Sequence, residues 1–323
     1  MPALFYTKKD KPVEVPIAYA PLADTHGHLT SFRRHKPAEA VARAALARVR
    51  FLAVPVDPAD DVPDVPAFLD WFDRVRDEAA VLLEQWATEG RRPPEFAGWD
   101  VPSLVDNLHF LAGVHPYGAK KFMEAPDVRA RLEALLDDSR CVGVGEFGLD
   151  VGPWSELTLE EQVPAMREHV RIAHDRNLPV ELHLRDGEKD GPQATAAHDR
   201  ALEVLREEGV PERGCVLHCF TSDPEVMAPF VELGCHVAFG GAVTFARSAD
   251  IRAAAAECPL ERLLVETDCP YMAPVPLRGQ EAEPAMVAFS AACVAEERAR
   301  TGISKEKTYE ALWHNACNLF GLD

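Results

Sequence analysis

Eight short apolar runs, set apart by stretches of helical spacing, constrain this chain more than any other feature. The runs are Pro21 to Leu29, Arg50 to Val56, His109 to Val114, Cys141 to Phe147, Leu178 to Leu184, Gly214 to Phe220, His236 to Gly241 and Leu263 to Asp268. Most are apolar throughout instead of alternating, which suits strands buried on both faces of a parallel sheet. Apolar residues recur at three- and four-residue intervals in Ala38 to Val49, Asp127 to Leu136, Leu159 to Asn177, Ala194 to Glu208, Pro224 to Leu233 and Ala249 to Glu257, as on one face of a helix. Strand and helix in alternation predict an α/β fold, and eight strands predict a (β/α)8 TIM barrel. Such a barrel takes roughly 250 residues, so a single domain over 1–323 with additions is expected. Pro284 to Thr301 and Ser304 to Leu319 predict two more helices, the first closing the barrel and the second packing outside it.

Two segments break the alternation. Residues 1–20 are polar with several prolines and predict an N-terminal arm or a short edge hairpin. Residues 57–107, between the second and third strands, are too long for one loop and helix. They hold an amphipathic run from Val65 to Trp86 and a Pro/Gly-rich stretch from Gly90 to Pro102. An extended helix followed by a surface loop is the expectation, with a substrate-shaping lid as the alternative.

A 47% hydrophobic and 27% charged composition can bury a core. No apolar run approaches the roughly 20 residues that span a bilayer, and Lys8, Lys9, Asp10 and Lys11 interrupt the N-terminus. Neither a membrane span nor a signal peptide is expected. The eight cysteines include no CxxC pair, which points to reduced thiols and a cytoplasmic location. A formal net charge of −19 opposes long-range attraction of polyanions and counts against processive DNA binding. Bound divalent cations invert such a field locally, so phosphodiesters are not excluded as substrates. No obligate protein partner is expected.

Chemistry concentrates at the strand ends. His26 and His28 in Asp24-Thr25-His26-Gly27-His28 stand at i and i+2 of an extended segment and project the same way. Alone, an HxH pair is as readily structural. Glu146 ends the fourth run, His183 the fifth, His218 the sixth and Asp268 the eighth, while His115 follows the third. Each has an ordinary explanation by itself: a bonded core histidine, a helix cap, a turn. Together they fall at the C-terminal ends of six strands, the face of an α/β barrel that carries catalysis, and this predicts a metal site.

The signatures DTHGHL (24–29), GVHP (113–116), GEFGLD (145–150), HLR (183–185), HCF (218–220) and ETDCPYMAPVPLRG (266–279) resemble the TatD-type metal-dependent deoxyribonucleases. The resemblance runs from about Pro21 to the C-terminus. It implies a distorted barrel of the metallo-dependent hydrolase type. It further implies that His26, His28 and Asp268 bind one divalent ion, that Glu146 bridges to a second, and that His183 and His218 complete the second site. His115 and Arg185 would be phosphate-contacting or supporting groups, with a structural ion pair the alternative for Arg185; Glu266 would orient a ligand or water, or pair with a neighbouring cation. Three positions depart from the family pattern, with Ser222 where Gly is usual, Ala282 where Asn is usual and Asn318 where Arg is usual. None is a ligand.

The activity this implies is phosphodiester hydrolysis at DNA 3′ ends by a metal-activated water, with Asp268 receiving its proton. Imidazole and carboxylate donors suit zinc, manganese or magnesium. The alternatives are a metal-dependent acyl hydrolase, such as a D-aminoacyl-tRNA deacylase, and a non-catalytic barrel. The basic run Arg33, Arg34, His35, Lys36 is either a substrate-facing patch or an ordinary solvated loop.

Overall fold

The computed structural model describes residues 3–189 and 191–322. A small antiparallel hairpin, β1 (Phe5–Tyr6) and β2 (Pro12–Val13), precedes the main fold. There follow β3 (Leu22–Asp24), α1 (Pro37–Leu46), β4 (Val49–Val56), α2 (Val65–Thr88), β5 (Leu108–Ala112), α3 (Ala119–Glu124), α4 (Pro126–Leu136), β6 (Cys141–Asp150) and α5 (Leu159–Arg176). The chain continues through β7 (Val180–Arg185), α6 (Ala196–Glu208), β8 (Cys215–Leu217), α7 (Pro224–Glu232), β9 (His236–Phe239), α8 (Ala249–Glu257), β10 (Leu263–Val265), α9 (Val287–Arg300) and α10 (Lys305–Phe320).

Strands β3 to β10 form one eight-stranded sheet in sequential order, all parallel. Its ends meet without a full ladder. Thr25 donates its backbone N–H to Val265 O at 3.3 Å, Asp268 donates to His26 O at 2.9 Å and His28 to Cys269 O at 2.7 Å, around an isolated bridge between Gly27 and Cys269. The result is the distorted barrel expected. Close approach of β5, β6 and β7 depends on glycine: a Cβ on Gly113 would lie 2.8 Å from Gly145 C, and one on Gly145 would lie 2.7 Å from Glu181 Cβ.

Alternate strand residues serve two cores. Leu52, Val54, Phe110, Val144, Leu182, Leu217 and Val237 face the helices. Ala23, Phe51, Ala53, Leu111, Val216, Ala238 and Leu264 fill the barrel interior, together with Trp313, Ala316, Leu319 and Phe320 of α10. The last helix was expected outside the barrel, but it plugs the barrel's N-terminal end. Asn315 fixes it there by donating to Leu260 O and Leu263 O, both at 2.8 Å. Closure comes from the β3–β10 contacts and not from α9, whose apolar residues pack in the outer core.

The segment 57–107 is a long helix and a loop, as its pattern predicts. Asp64 caps α2 by accepting the Ala67 N–H at 3.0 Å. Because α2 carries the chain back to the start of β5, the Pro/Gly-rich loop lies at the barrel's N-terminal end. Arg50 donates to Pro94 O at 2.5 Å, and the Trp99 ring lies 5.3 Å from His314 on α10. That loop cannot be a lid over the opposite mouth. The N-terminal segment is the short hairpin expected; among the described residues its strands pair with each other and not with the barrel sheet. It clips onto α9 through Phe5 and Phe289, 6.0 Å apart, and receives a hydrogen bond from Gln280 at Tyr6 O.

Boundaries also differ from the sequence expectation. The run from Pro21 keeps ladder pairing only to Asp24, that from Leu263 only to Val265 and that from Gly214 only from Cys215 to Leu217. Past those points the backbone turns. Cys219 and Asp268 have φ of 46° and 52°, left-handed values that cost of order 1–3 kcal/mol for a non-glycine residue. Helix α3 had no expectation. It is only six residues long, and Pro126 starts a new helix right behind it.

Candidate active site

The residues that end the strands converge at the C-terminal mouth. β3 delivers His26 and His28 from the extended stretch beyond its ladder. Asp24 locks that stretch to the end of β10 by accepting the Thr267 N–H at 2.8 Å and the Thr267 hydroxyl at 2.7 Å. Burial pushes the Asp24 carboxyl well above its ordinary pKa, and the bonds from Thr267 only partly offset this.

Glu146 of β6 stands at the centre. Its Oε1 lies 3.4 Å from His28 Nε2 and 4.0 Å from His26 Nε2, while its Oε2 lies 3.3 Å from His183 Nδ1 and 3.6 Å from His218 Nε2. One carboxylate oxygen thus faces each histidine pair. Asp268 Oδ1 is 3.6 Å from His28 Nε2 and 4.0 Å from His26 Nε2. The His26 and His28 Nε2 atoms are 3.0 Å apart, and the His26 and His218 rings stack at 3.6 Å. Ligand atoms lie within 4.8 Å of one another in each of the sets His26/His28/Glu146, His26/His218/Asp268, His115/Glu146/His183 and His218/Cys219/Glu266. All six residues expected as metal ligands therefore meet in one place.

Behind the imidazoles stand acids to which the sequence reading gave no role or an open one. His26 donates its Nδ1–H to Glu181 Oε2 at 2.7 Å, which turns its Nε2 to the mouth. His183 donates its Nε2–H to Asp150 Oδ2 at 3.0 Å, leaving Nδ1 toward Glu146. Glu266 Oε1 lies 3.0 Å from His218 Nδ1, off the ring's hydrogen-bond axis, and accepts the Cys219 N–H at 2.5 Å. A carboxylate behind a metal-binding imidazole fixes its tautomer and raises its basicity.

The electrostatics call for cations. Asp24, Glu146, Asp150, Glu181, Glu266 and Asp268 crowd the mouth, and among the described residues none is ion-paired to Lys or Arg. Glu181 Oε1 and Glu266 Oε2 are buried with no hydrogen-bond partner. Burial, reinforced by the neighbouring carboxylates, pushes Asp268 up to about 7 and Glu181 well above the carboxylate range, against the opposing pull of His218. Burial opposes charge on His218, yet Glu266, Asp268 and Glu146 outweigh it and pull that ring's pKa well up. Glu146 is driven the other way: the surrounding histidines overcome its burial and hold it well below the ordinary value. Buried anions are costly unless compensated, and imidazole plus carboxylate donors are the set that zinc and manganese take. The residues present fit divalent cations.

His115 and Arg185 sit beside this cluster. His115 Nδ1 accepts the Tyr117 N–H at 3.3 Å, so the neutral ring carries its proton on Nε2. Burial pushes the ring's pKa down to about 3, which keeps it neutral. In that tautomer its Nε2–H can donate, while its place beside Glu146 and His183 also puts it within reach of a shared cation. Arg185 makes no ion pair among the described residues; its guanidinium lies 4.4 Å from the Trp154 ring centroid. The basic run is a clamped loop: Glu281 accepts the backbone N–H groups of Arg33, Arg34 and His35 at 2.9, 2.9 and 2.7 Å.

An eight-stranded parallel barrel with this cluster of His, Glu and Asp at its C-terminal mouth defines the class of metal-dependent hydrolases with an amidohydrolase-like fold. The family model for TatD-related DNases matches residues 23–321. The metal-dependent hydrolase YcfH of Escherichia coli, described as uncharacterized, is 38% identical over 224 residues, covering 69% of this chain and 78% of its own. The 3′-5′ ssDNA/RNA exonuclease TatD of Klebsiella pneumoniae is 33% identical over 219 residues, covering 66% and 76%. Among solved structures, the TatD homologue YJJV of E. coli has 26% identity and a TM-score of 0.71, covering 94% of this chain and all of its own. This chain belongs to the TatD-related DNase family and is a metal-dependent hydrolase. Among its described residues no helix is long and apolar enough to cross a membrane.

Proposed function

We propose that the protein is a phosphodiesterase that removes nucleotides from the 3′ end of a nucleic acid strand, using two divalent cations. The observation that carries this reading is the division of Glu146, one oxygen toward His26 and His28 and the other toward His183 and His218. A carboxylate so placed suits two cations better than one. His26, His28 and Asp268 would hold the first, and His183 and His218 the second, with Glu146 shared. Cations there supply positive charge that lowers the pKa of water and neutralises charge building on the phosphate.

The chain's own groups account for the rest. Asp268 takes the proton of the attacking water as its oxygen bonds to phosphorus, and the bond from phosphorus to the 3′ oxygen breaks, the leaving oxygen taking a proton from solvent to become the 3′ hydroxyl. His115 donates its Nε2–H to a non-bridging phosphate oxygen. Glu181 and Asp150 keep His26 and His183 turned to the reacting centre. The nuclease named among the relatives supports a nucleic-acid substrate, and eight free cysteines fit a reducing, cytoplasmic setting.

The test is turnover of single-stranded DNA labelled at either end by metal-defined protein, with an aminoacyl-tRNA and a small phosphodiester alongside. Nucleotide release from the 3′ end supports the reading. Cleavage of the acyl ester alone would replace it with acyl hydrolysis.

A further inference from the structure

The loops rimming the mouth carry aromatic side chains that the hydrolytic steps leave unused. Tyr117, Trp154 and Tyr271 follow β5, β6 and β10 and are 41%, 66% and 55% exposed. An exposed tryptophan is by itself unremarkable on a protein surface. Trp154, however, has a cation stacked on one face. The Arg185 guanidinium lies 4.4 Å from its ring centroid, and Gly152 leaves the room: a Cβ there would come 2.7 Å from Arg185 Nε. Tyr117, in contact with Arg185, donates its hydroxyl to Asp150 Oδ2 at 3.0 Å. Asp150 is the carboxylate that accepts from His183. The indole is therefore tied through Arg185, Tyr117 and Asp150 to the histidine beside Glu146. Across the mouth the Tyr271 ring lies 6.0 Å from His28.

Charge decides what such a platform would hold. With a formal net charge of −19, the protein gains little from the many phosphate contacts on which charge-driven nucleic-acid binding depends. Stacking on an aromatic face does not depend on net charge, and every base offers a π face once unpaired.

We propose that Trp154, backed by Arg185, is a base-stacking platform that holds an unpaired nucleobase next to the scissile phosphodiester. The proposal rests on the phosphodiesterase reading above and specifies how that site selects its substrate. Bases still paired in a duplex present only their edges to this platform, so single-stranded or frayed ends are selected by stacking and not by charge.

The test compares Trp154→Ala and Trp154→Phe with the wild type on metal-loaded protein. The substrates are a labelled oligothymidylate and the same strand with abasic sites at its 3′ end. In Trp154→Ala, KM for the base-bearing strand rises roughly 5- to 140-fold, the range expected for losing one stacked base, while kcat changes little. The abasic strand shows a far smaller change, and Trp154→Phe keeps most of the wild-type KM. An equal rise on both strands, or none on either, overturns the proposal. If the wild type cleaves neither strand, the phosphodiesterase reading fails. Fluorescence anisotropy of the same two strands then tests the platform alone: preference for the base-bearing strand, lost in Trp154→Ala, supports it, and equal affinity overturns it.

Discussion

Glu181, buried inside the barrel, accepts the Nδ1–H of His26 at 2.7 Å across the width of the mouth, from a strand four places away in the sheet. The bond sets the tautomer of His26 and leaves its Nε2 lone pair facing the other donors. Losing such a partner lowers metal affinity or activity by roughly 10- to 100-fold. Glu181→Gln, which keeps the shape and can still accept a hydrogen bond, is expected to weaken divalent-cation binding by less than Glu181→Ala. Calorimetric titration of both variants checks this, and unchanged affinity in Glu181→Ala would remove the residue from the site.

Cation binding is expected to tighten as pH rises. Burial disfavours charge on His183 and His218, but the carboxylates around them outweigh it and hold both pKa values above the ordinary 6.5. Both rings must shed a proton to coordinate, so uptake releases protons. Calorimetry in buffers of different ionisation enthalpy, between pH 6 and 9, measures that release. Pairing with a cation that binds only the folded state also predicts a lower Tm after chelation, restored by the metal.

His169 supplies a pH effect on stability from the layer behind the site. Fully buried on α5, it donates Nδ1–H to Ala165 O at 2.7 Å, accepts the Val114 N–H at 3.0 Å and stacks 4.7 Å from Phe147. Burial pushes its pKa down to about 4. A depressed histidine stabilises the fold fully above the unfolded value of about 6.5 and loses that contribution as pH falls toward 4. The loss amounts to ~3 kcal/mol at most. Denaturant unfolding of the wild type and His169→Leu at pH 7.5 and 4.5 checks it: the gap between them narrows at the lower pH.

His115 carries a prediction that separates donor from ligand. If its Nε2–H serves the phosphate, His115→Ala lowers kcat by about 10²-fold or more and leaves cation stoichiometry and affinity unchanged. Loss of a cation in this variant would make it a ligand.

Much of this was legible in the chain. The eight apolar runs gave the barrel, and six strand-end residues gave the centre, because period-two projection and the catalytic end of a barrel are local rules. The acids behind the ligands carried a signal of the same kind. Asp24, Glu181 and Glu266 each stand two residues before His26, His183 and Asp268, on the same side of an extended strand. Their partners were not legible, since Glu181 serves His26 and Glu266 faces His218, contacts made only when the sheet curls. The position of the Pro/Gly-rich stretch 90–102 was not legible for a related reason: composition marks a loop but not the end of the barrel to which α2 returns it. Helix α10 misled because its apolar face fits an interior plug as well as an outer layer.

Whether Glu146 joins two cation sites is decided by metal content measured together with turnover. Wild-type protein and Glu146→Ala, both reconstituted and desalted, would be compared for bound zinc or manganese per chain and for release of nucleotides from 3′-labelled single-stranded DNA. Expected are two cations in the wild type, fewer in the variant, turnover abolished, and the same circular dichroism spectrum. A variant that keeps both cations and full activity would contradict that shared role of Glu146.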